Sequence, residues 1–157
     1  MKIQLWAIGK PHDKELKAAI DQFTQRCNNY FQVEWNIIAG PKNAGQLEEA
    51  GLKKKEGEMV LQLLEKNDYL VALDEGGQQL TSEGLADFIN ARANESTRKL
   101  IFLIGGAYGL DEAVLAAARL KWSLSKLTFP HQLVRLVLAE QLYRSFTILR
   151  NEKYHHK

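Results

Sequence analysis

The stretch "SLSKLTFPHQLVRLVLAEQLYRSF", residues 123–146, predicts the end of a strand, a turn and then a long apolar helix. Pro130 is suited to the first position of that helix, and Thr128 lies where a capping hydroxyl is expected. Apolar residues spread around the helix, so we expect it to be covered on two sides, the second cover being another copy of the chain. The predicted core face consists of Leu133, Leu136, Val137, Tyr143 and Phe146.

Charged residues are spaced regularly along the same helix. His131 and Arg135 are four residues apart and are expected to share one face. Glu140 and Arg144 are also four apart, in the acid-first order that stabilises a helix. A simple surface ion pair is the favoured interpretation of Glu140. For Arg144, pairing and contact with an RNA phosphate both remain open.

Along the whole chain, predicted strands alternate with predicted helices. Each helix follows a strand, and Asp13 and Asp111 are placed to cap two of them. This order predicts an α/β fold with a mainly parallel sheet and helices on both faces. The residues "GGQQL", 76–80, are expected to form a turn. The predicted strands are Ile3–Gly9, 31–37, Tyr69–Glu75, 99–106 and 121–127.

Three strand ends carry the features of a binding site, because ligands of open α/β sheets bind beyond the carboxyl ends of strands. These ends are 73–77, the glycine-rich "IGGAYGL" at 104–110, and the Ser/Thr-containing segment 124–130. Glycines in the second end would let the main chain approach a nucleotide-like ligand. A tight strand–helix turn needs glycine equally, so both interpretations stay open. Neither a dinucleotide fingerprint nor a phosphate loop is present.

The sequence offers little support for a zinc site, a nucleophilic serine or a phosphorylated aspartate. No zinc-ligand spacing and no nucleophile elbow occur in the sequence. Asp74 resembles the phosphorylated residue of a receiver domain, but that chemistry needs an acidic pair after the first strand. The first strand ends at Gly9-Lys10-Pro11 instead.

Composition predicts one globular domain in the cytoplasm. The 157 residues include 45% hydrophobic and 25% charged residues, and no apolar run is long enough to span a membrane. The first residues read as a strand, not a signal peptide. Cys27 is the only cysteine, so no internal disulfide can form, and it falls on the apolar face of a predicted helix.

Positive charge is concentrated in the last quarter of the chain. Residues 1–118 contain 13 Lys and Arg against 17 Asp and Glu, whereas residues 119–157 contain 8 basic residues and only two acids. Aromatic residues, including Tyr154, accompany this charge. An RNA partner and an ordinary solvated tail are both consistent with it. Tyr154 and His155 could be disordered or could fold over a site.

Four segments together resemble the RlmH family. They are the opening "MKIQLWAIGK", the loop "IGGAYGL", the stretch "LSKLTFPHQLVRLVLAEQLYRSF" and the terminal "YHHK". Members of this family are 23S rRNA (pseudouridine-1915-N3)-methyltransferases of the SPOUT class. The resemblance covers residues 1–157 as one SPOUT-type domain. Two departures are Ser145, where alanine is expected, and the additional His156 before Lys157.

The resemblance implies a deep trefoil knot at the C-terminal end of the sheet, a homodimer and 23S rRNA of the large subunit or the ribosome as substrate. It also implies S-adenosylmethionine as methyl donor, with no metal. A non-catalytic RNA- or ribosome-binding protein with a vestigial pocket is the alternative. The implied donor contacts are Leu73, Gly105, Leu124, Ser125, Lys126, Leu127, Thr128 and Phe129. The candidate catalytic residues are His131, Arg135, Arg144, Tyr154 and His155.

Overall fold

Within residues 1–156, five strands alternate with five α-helices, as the sequence predicts. The structure is a computed structural model that describes residues 1–156. Lys157, which belongs to the predicted domain and to the basic end of the chain, lies outside the described residues. The strands are β1 (Lys2–Ile8), β2 (Gln32–Ile38), β3 (Tyr69–Gln79), β4 (Lys99–Ile104) and β5 (Leu120–Ser123). The helices are α1 (Lys14–Cys27), α2 (Glu49–Leu63), α3 (Ser82–Asn94), α4 (Glu112–Ala117) and α5 (His131–Leu149).

All five strands form one parallel sheet in the order β2-β1-β4-β3-β5. β4 is the central strand, and its residues pack alternately into two hydrophobic cores. Phe102 faces the core under α1, α3 and α5, whereas Leu103 faces the core under α2 and α4. A strand covered on both faces is apolar throughout, which explains the continuous run of hydrophobic residues in β4. The α/β class with a parallel sheet is confirmed, and the knot stays a prediction.

The core face of α5 differs from the predicted one. Leu138, Leu142 and Phe146 are fully buried against the sheet and its neighbouring helices. Of the five residues predicted to form this face, only Phe146 is buried, and the other four are partly exposed. The helix packs against both α1 and α3, so the stripe that faces the core lies between those two contacts. Its apolar residues on the opposite side are left partly uncovered.

β3 is longer than predicted and β5 is shorter. The predicted turn at 76–80 instead falls largely within β3, which pairs with β5 on both sides of an irregularity. Leu73 and Gln78 both align with Trp122, so residues 74–77 loop out between them. A side-chain carbon on Gly77 would lie 2.6 Å from the backbone of Lys121, which makes glycine necessary there. β5 ends at Ser123, so the segment 124–130 is a loop and not the end of a strand.

Helix starts follow the predicted pattern in one case and depart from it in two. Asp111 caps α4, since its carboxylate accepts a hydrogen bond from the backbone N–H of Ala113 at 3.3 Å. Asp13 occupies the cap position of α1 but makes no side-chain capping bond. Pro130 is itself the cap residue of α5, not its first helical residue, and the Thr128 hydroxyl bonds elsewhere. Within residues 1–156, no helix has both the length and the hydrophobicity that a membrane span requires.

Candidate functional site

A cavity of about 490 Å³ opens at the carboxyl edge of the sheet, where the three predicted strand ends meet. The loops after β4 and β5 and the looped-out residues of β3 all contribute to its wall. These segments lie together because β3 pairs with both β4 and β5, so the three strand ends are adjacent in the sheet. The lining includes Leu73, Asp74, Glu75, Gly105, Gly106, Tyr108, Leu124, Ser125, Leu127, Thr128, Phe129 and His131.

Hydrogen bonds hold the loop after β5 in one shape. The Ser125 hydroxyl accepts a bond from the backbone N–H of Leu127 at 3.0 Å, and its carbonyl accepts one from the Ser123 hydroxyl at 2.9 Å. The Thr128 hydroxyl reaches Glu75 Oε1 at 3.3 Å and so joins this loop to β3. Ser and Thr in this segment therefore shape the cavity wall from within.

The glycine-rich loop forms the tightest part of the wall. Gly109 has a φ of +83° and donates its backbone N–H to the Gly106 carbonyl at 3.1 Å, which closes a narrow turn. A side-chain carbon on Gly105 would lie 3.0 Å from the Gly109 backbone. The same atom on Gly106 would lie 2.9 Å from the carboxylate of Glu56. Glycine at 105 and 106 thus keeps the loop closed against its own backbone and against α2.

Glu56 is a buried carboxylate behind this loop, only 8% exposed. Burial raises the pKa of its side chain above the usual value. In the sequence Glu56 follows three lysines on α2 and looks like an ordinary surface residue. Its position behind Gly106 depends on how α2 packs on the sheet, so the sequence carried no signal for it.

The structure brings seven of the eight predicted donor-contact residues to the cavity. They are Leu73, Gly105, Leu124, Ser125, Leu127, Thr128 and Phe129. The eighth, Lys126, belongs to the same loop but is exposed and does not line the cavity. Two large apolar side chains stand uncovered at the rim, Leu127 at 69% and Tyr108 at 50% exposure. Such exposure beside a cavity is typical of a surface that a ligand or a partner covers.

The five candidate catalytic residues fall into three places. His131 lines the cavity. Arg135, four residues further along α5, is only 1% exposed, and its Nη1 lies 3.2 Å from Nδ1 of His12. Burial and the neighbouring Arg135 lower the pKa of His12. The other three, Arg144, Tyr154 and His155, form one cluster between α5 and the C-terminal segment.

Within this cluster Glu140 and Arg144 form the predicted ion pair. Arg144 Nε donates to Glu140 Oε1 at 2.9 Å, and its Nη2 donates to the same oxygen. The Tyr154 hydroxyl donates to that oxygen at 3.2 Å, and its ring lies 4.9 Å from the guanidinium carbon of Arg144. Burial, followed by the charge of Glu140, raises the pKa of Tyr154. The C-terminal segment is therefore folded onto the protein.

His155 is held by side chains from two helices. Its Nδ1 lies 3.1 Å from Arg144 Nη1, and its Nε2 lies 2.9 Å from Glu83 Oε1 at the start of α3. Nothing in the sequence distinguishes Glu83, because an acid in the first turn of a helix is common. The contact spans 72 positions in the sequence and only folding creates it.

The cluster and the cavity are separate in one chain. The lining of the cavity includes His131 but none of Arg144, Tyr154 and His155. Across residues 1–156, no group of three or more His, Cys, Asp or Glu side chains could hold a metal ion.

The fold and the cavity define an α/β protein with an open cavity at the carboxyl edge of a parallel sheet. The family model described as "Predicted SPOUT methyltransferase" matches residues 1–155. The chain belongs to this family, and its resemblance to the RlmH group is confirmed by curated relatives.

Three such relatives are named ribosomal RNA large subunit methyltransferase H. The protein of Christiangramia forsetii is 47% identical and that of Flavobacterium johnsoniae 45% identical, each over 100% of both chains. The protein of Cytophaga hutchinsonii is 46% identical over 99% of this chain and 100% of its own.

Proposed function

We propose that this protein is an S-adenosylmethionine-dependent methyltransferase that modifies N3 of a pseudouridine, of the position-1915 type, in 23S rRNA. The observation that carries the proposal is the meeting of three loops in one cavity of about 490 Å³, in a chain of the SPOUT methyltransferase family. The names of its relatives support a ribosomal RNA substrate. A ribosomal substrate places the reaction in the cytoplasm.

The cavity is suited to a methyl donor that is recognised largely through main-chain groups. Gly105 and Gly106 line the cavity with backbone atoms alone. Leu73, Leu124 and Phe129 supply apolar surface beside them, and among residues 1–156 no Lys or Arg lines the cavity. A sulfonium cation is therefore not repelled, and Asp74 and Glu75 favour it. When bound, the donor supplies an already activated methyl group.

The protein's own contribution is then to position and deprotonate the acceptor. N3 of pseudouridine is an imide nitrogen that must lose its proton before it can act as a nucleophile. His155 is the proposed proton acceptor, Tyr154 stacks on the base, and Arg144 contacts a phosphate. Most of the rate enhancement comes from orientation, since the reacting groups are held at short distance.

A homodimer completes the site in this proposal. The cluster of one copy must reach the cavity of another, because the two are separate within a chain. Partly exposed Leu133, Leu136 and Val137 on α5, together with Leu127 at the rim, offer the apolar surface for such a contact. The basic end of each chain then lies beside its partner's cavity and attracts RNA.

Mass-spectrometric mapping of 23S rRNA from a strain without this gene tests the proposal. We expect one N3-methylpseudouridine to be lost and to return when the gene is restored. Restoration with Gly105→Val should fail, since the added side chain collides with the Gly109 backbone. The control Gly45→Ala should restore the modification, because nothing lies within 4 Å of the added carbon.

Calorimetry with S-adenosylhomocysteine separates the enzyme from the alternative. Binding to the purified protein, lost in Gly105→Val and kept in Gly45→Ala, supports the methyltransferase. An unchanged rRNA methylation map together with no detectable binding supports a non-catalytic RNA-binding protein instead.

A further inference from the structure

The imidazole of His155 has both ring nitrogens engaged by fixed side chains. Nε2 faces Glu83 Oε1 at 2.9 Å, and Nδ1 faces Arg144 Nη1 at 3.1 Å. The side chain of His155 is only 18% exposed, so water competes weakly for either nitrogen. A histidine near a chain terminus that is held in this way has a defined orientation, which a solvated tail would not give.

These contacts select one tautomer of the neutral ring. A guanidinium has only hydrogen-bond donors, so Arg144 donates and Nδ1 must accept with its lone pair. The single N–H of the neutral imidazole is then on Nε2, where the Glu83 carboxylate accepts it. Both neighbours favour the same arrangement, and each acts on a different nitrogen.

Hydrogen bonds on either side of Glu83 fix the start of α3. The Thr81 hydroxyl accepts the Gly84 backbone N–H at 2.9 Å and caps the helix. The Ser82 hydroxyl donates to Gln141 Oε1 at 2.7 Å and ties this turn to α5. Glu83 lies between these two anchors, so its backbone is fixed where its side chain meets His155. An acid in a first helical turn is common, but that alone does not explain contact with a residue 72 positions away.

We infer that Glu83 is a positioning residue for His155: it holds the Nε2–H so that Nδ1 is the atom that takes the proton from N3. This inference rests on the proposed function. In the chain without RNA, Arg144 occupies Nδ1. A phosphate is a strong partner for a guanidinium, so bound RNA draws Arg144 away and frees the lone pair. Glu83 keeps the ring in the correct tautomer during that exchange.

In the resulting methyl transfer, every proton and electron pair is accounted for. The N3 proton moves to Nδ1, and the ring becomes an imidazolium with its second N–H still on Glu83. The N3 lone pair forms a bond to the methyl carbon as the carbon–sulfur bond breaks, and that electron pair stays on sulfur. The products are the methylated base, a neutral thioether and one proton, which His155 passes to water.

Nitrogen-15 NMR of the histidine side chains at about pH 8 tests the inference without any methyl transfer. We expect His155 to show the Nε2–H tautomer in the unmodified protein and in Arg144→Ala, where only Glu83 remains to select it. In the double variant Arg144→Ala, Glu83→Ala the ring should relax to a mixture of tautomers. A mixture already in Arg144→Ala would overturn the role of Glu83.

Single-turnover methylation at saturating donor and ribosomal substrate provides the second readout. Glu83→Ala should slow the step about tenfold or more, with donor and substrate binding unchanged. Glu83→Gln keeps an acceptor oxygen and should recover most of that loss. The matched control is Glu152→Ala, which removes another contact of the C-terminal segment, the 2.7 Å bond from the Tyr30 hydroxyl, without touching His155.

The outcomes separate this inference from the proposed function. Equal rates for Glu83→Ala and Glu152→Ala, in an active protein, overturn the positioning role alone. A protein that transfers no methyl group to rRNA overturns the proposed function, and the NMR experiment still decides whether Glu83 sets the tautomer. If Glu83→Ala fails to fold, the single-turnover rate and the His155 tautomer are measured in Glu83→Gln instead.

Discussion

At the scale of single residues, the cavity wall depends on Gly106 and the carboxylate behind it. Glu56 fills the space that a side chain at position 106 would need. Its charge is buried with little access to water, which disfavours the ionised form and raises the pKa. The loop therefore rests on a group whose ionisation destabilises the folded chain.

Glu56→Gln should increase stability at neutral pH by about 1 kcal/mol. The pKa of this carboxyl is higher in the folded than in the unfolded chain, so the folded state retains the proton over a wider range. Stability contributed by the protonated form is present at low pH and is lost as pH rises above the ordinary value of 4.5. Urea unfolding between pH 4.5 and 8 should show the advantage of the variant growing with pH.

Glu58→Gln on the same helix is the control, because Glu58 is half exposed and its nearest cation, Lys55, is 4.0 Å away. Its effect on stability should stay within a few tenths of a kcal/mol at every pH. A difference between Glu56→Gln and the unmodified protein that does not change with pH would contradict the assignment.

At the scale of elements, the pairing of β3 with β5 places the site. Residues 74–77 loop out of β3 while the strand continues beyond them, so Asp74 and Glu75 reach the cavity from within a strand. The sequence predicted a strand end and a turn here, since two glycines and two glutamines have low strand propensity. Pairing with Trp122 and Ser123 outweighs that preference.

Gly77→Ala should destabilise the protein by about 1–3 kcal/mol. The added carbon would lie 2.6 Å from the Lys121 carbonyl carbon and oxygen, and backbone cannot rotate away as a side chain can. Equilibrium urea unfolding measures the loss, with Gly45→Ala as the control that meets no atom within 4 Å. Equal midpoints for the two variants would show that β3 and β5 do not approach as closely as described.

At the scale of the whole molecule, α5 serves two surfaces. One stripe, which includes Leu138 and Leu142, closes the core beneath the sheet. The other side carries partly exposed apolar residues, together with Glu140 and Arg144, which hold the C-terminal segment. In a dimer, the partly exposed apolar side of α5 would pack against the second chain. The cluster of Arg144, Tyr154 and His155 would lie beside that chain's cavity.

Mixed dimers should therefore recover activity from two inactive proteins. Gly105→Val disables the cavity and His155→Ala disables the cluster, and a mixed dimer keeps one intact copy of each in the same site. After mixing equal amounts under conditions that exchange subunits, we expect about a quarter of full activity. Methylation assays before and after exchange provide the measurement, and a mixture that stays inactive would place each complete site within one chain.

Local sequence patterns were sufficient for the α/β order, the parallel sheet, the three segments that meet at the cavity and the Glu140–Arg144 pair. Each of these depends on local spacing or on a general rule about where parallel strands end. The resemblance of four segments was sufficient for the family. Tertiary structure alone decided which side of α5 is buried, that Glu56 lies behind Gly106 and that Glu83 meets His155. The last two contacts join residues 50 and 72 positions apart, and only the packing of helices on the sheet brings them within a few ångströms.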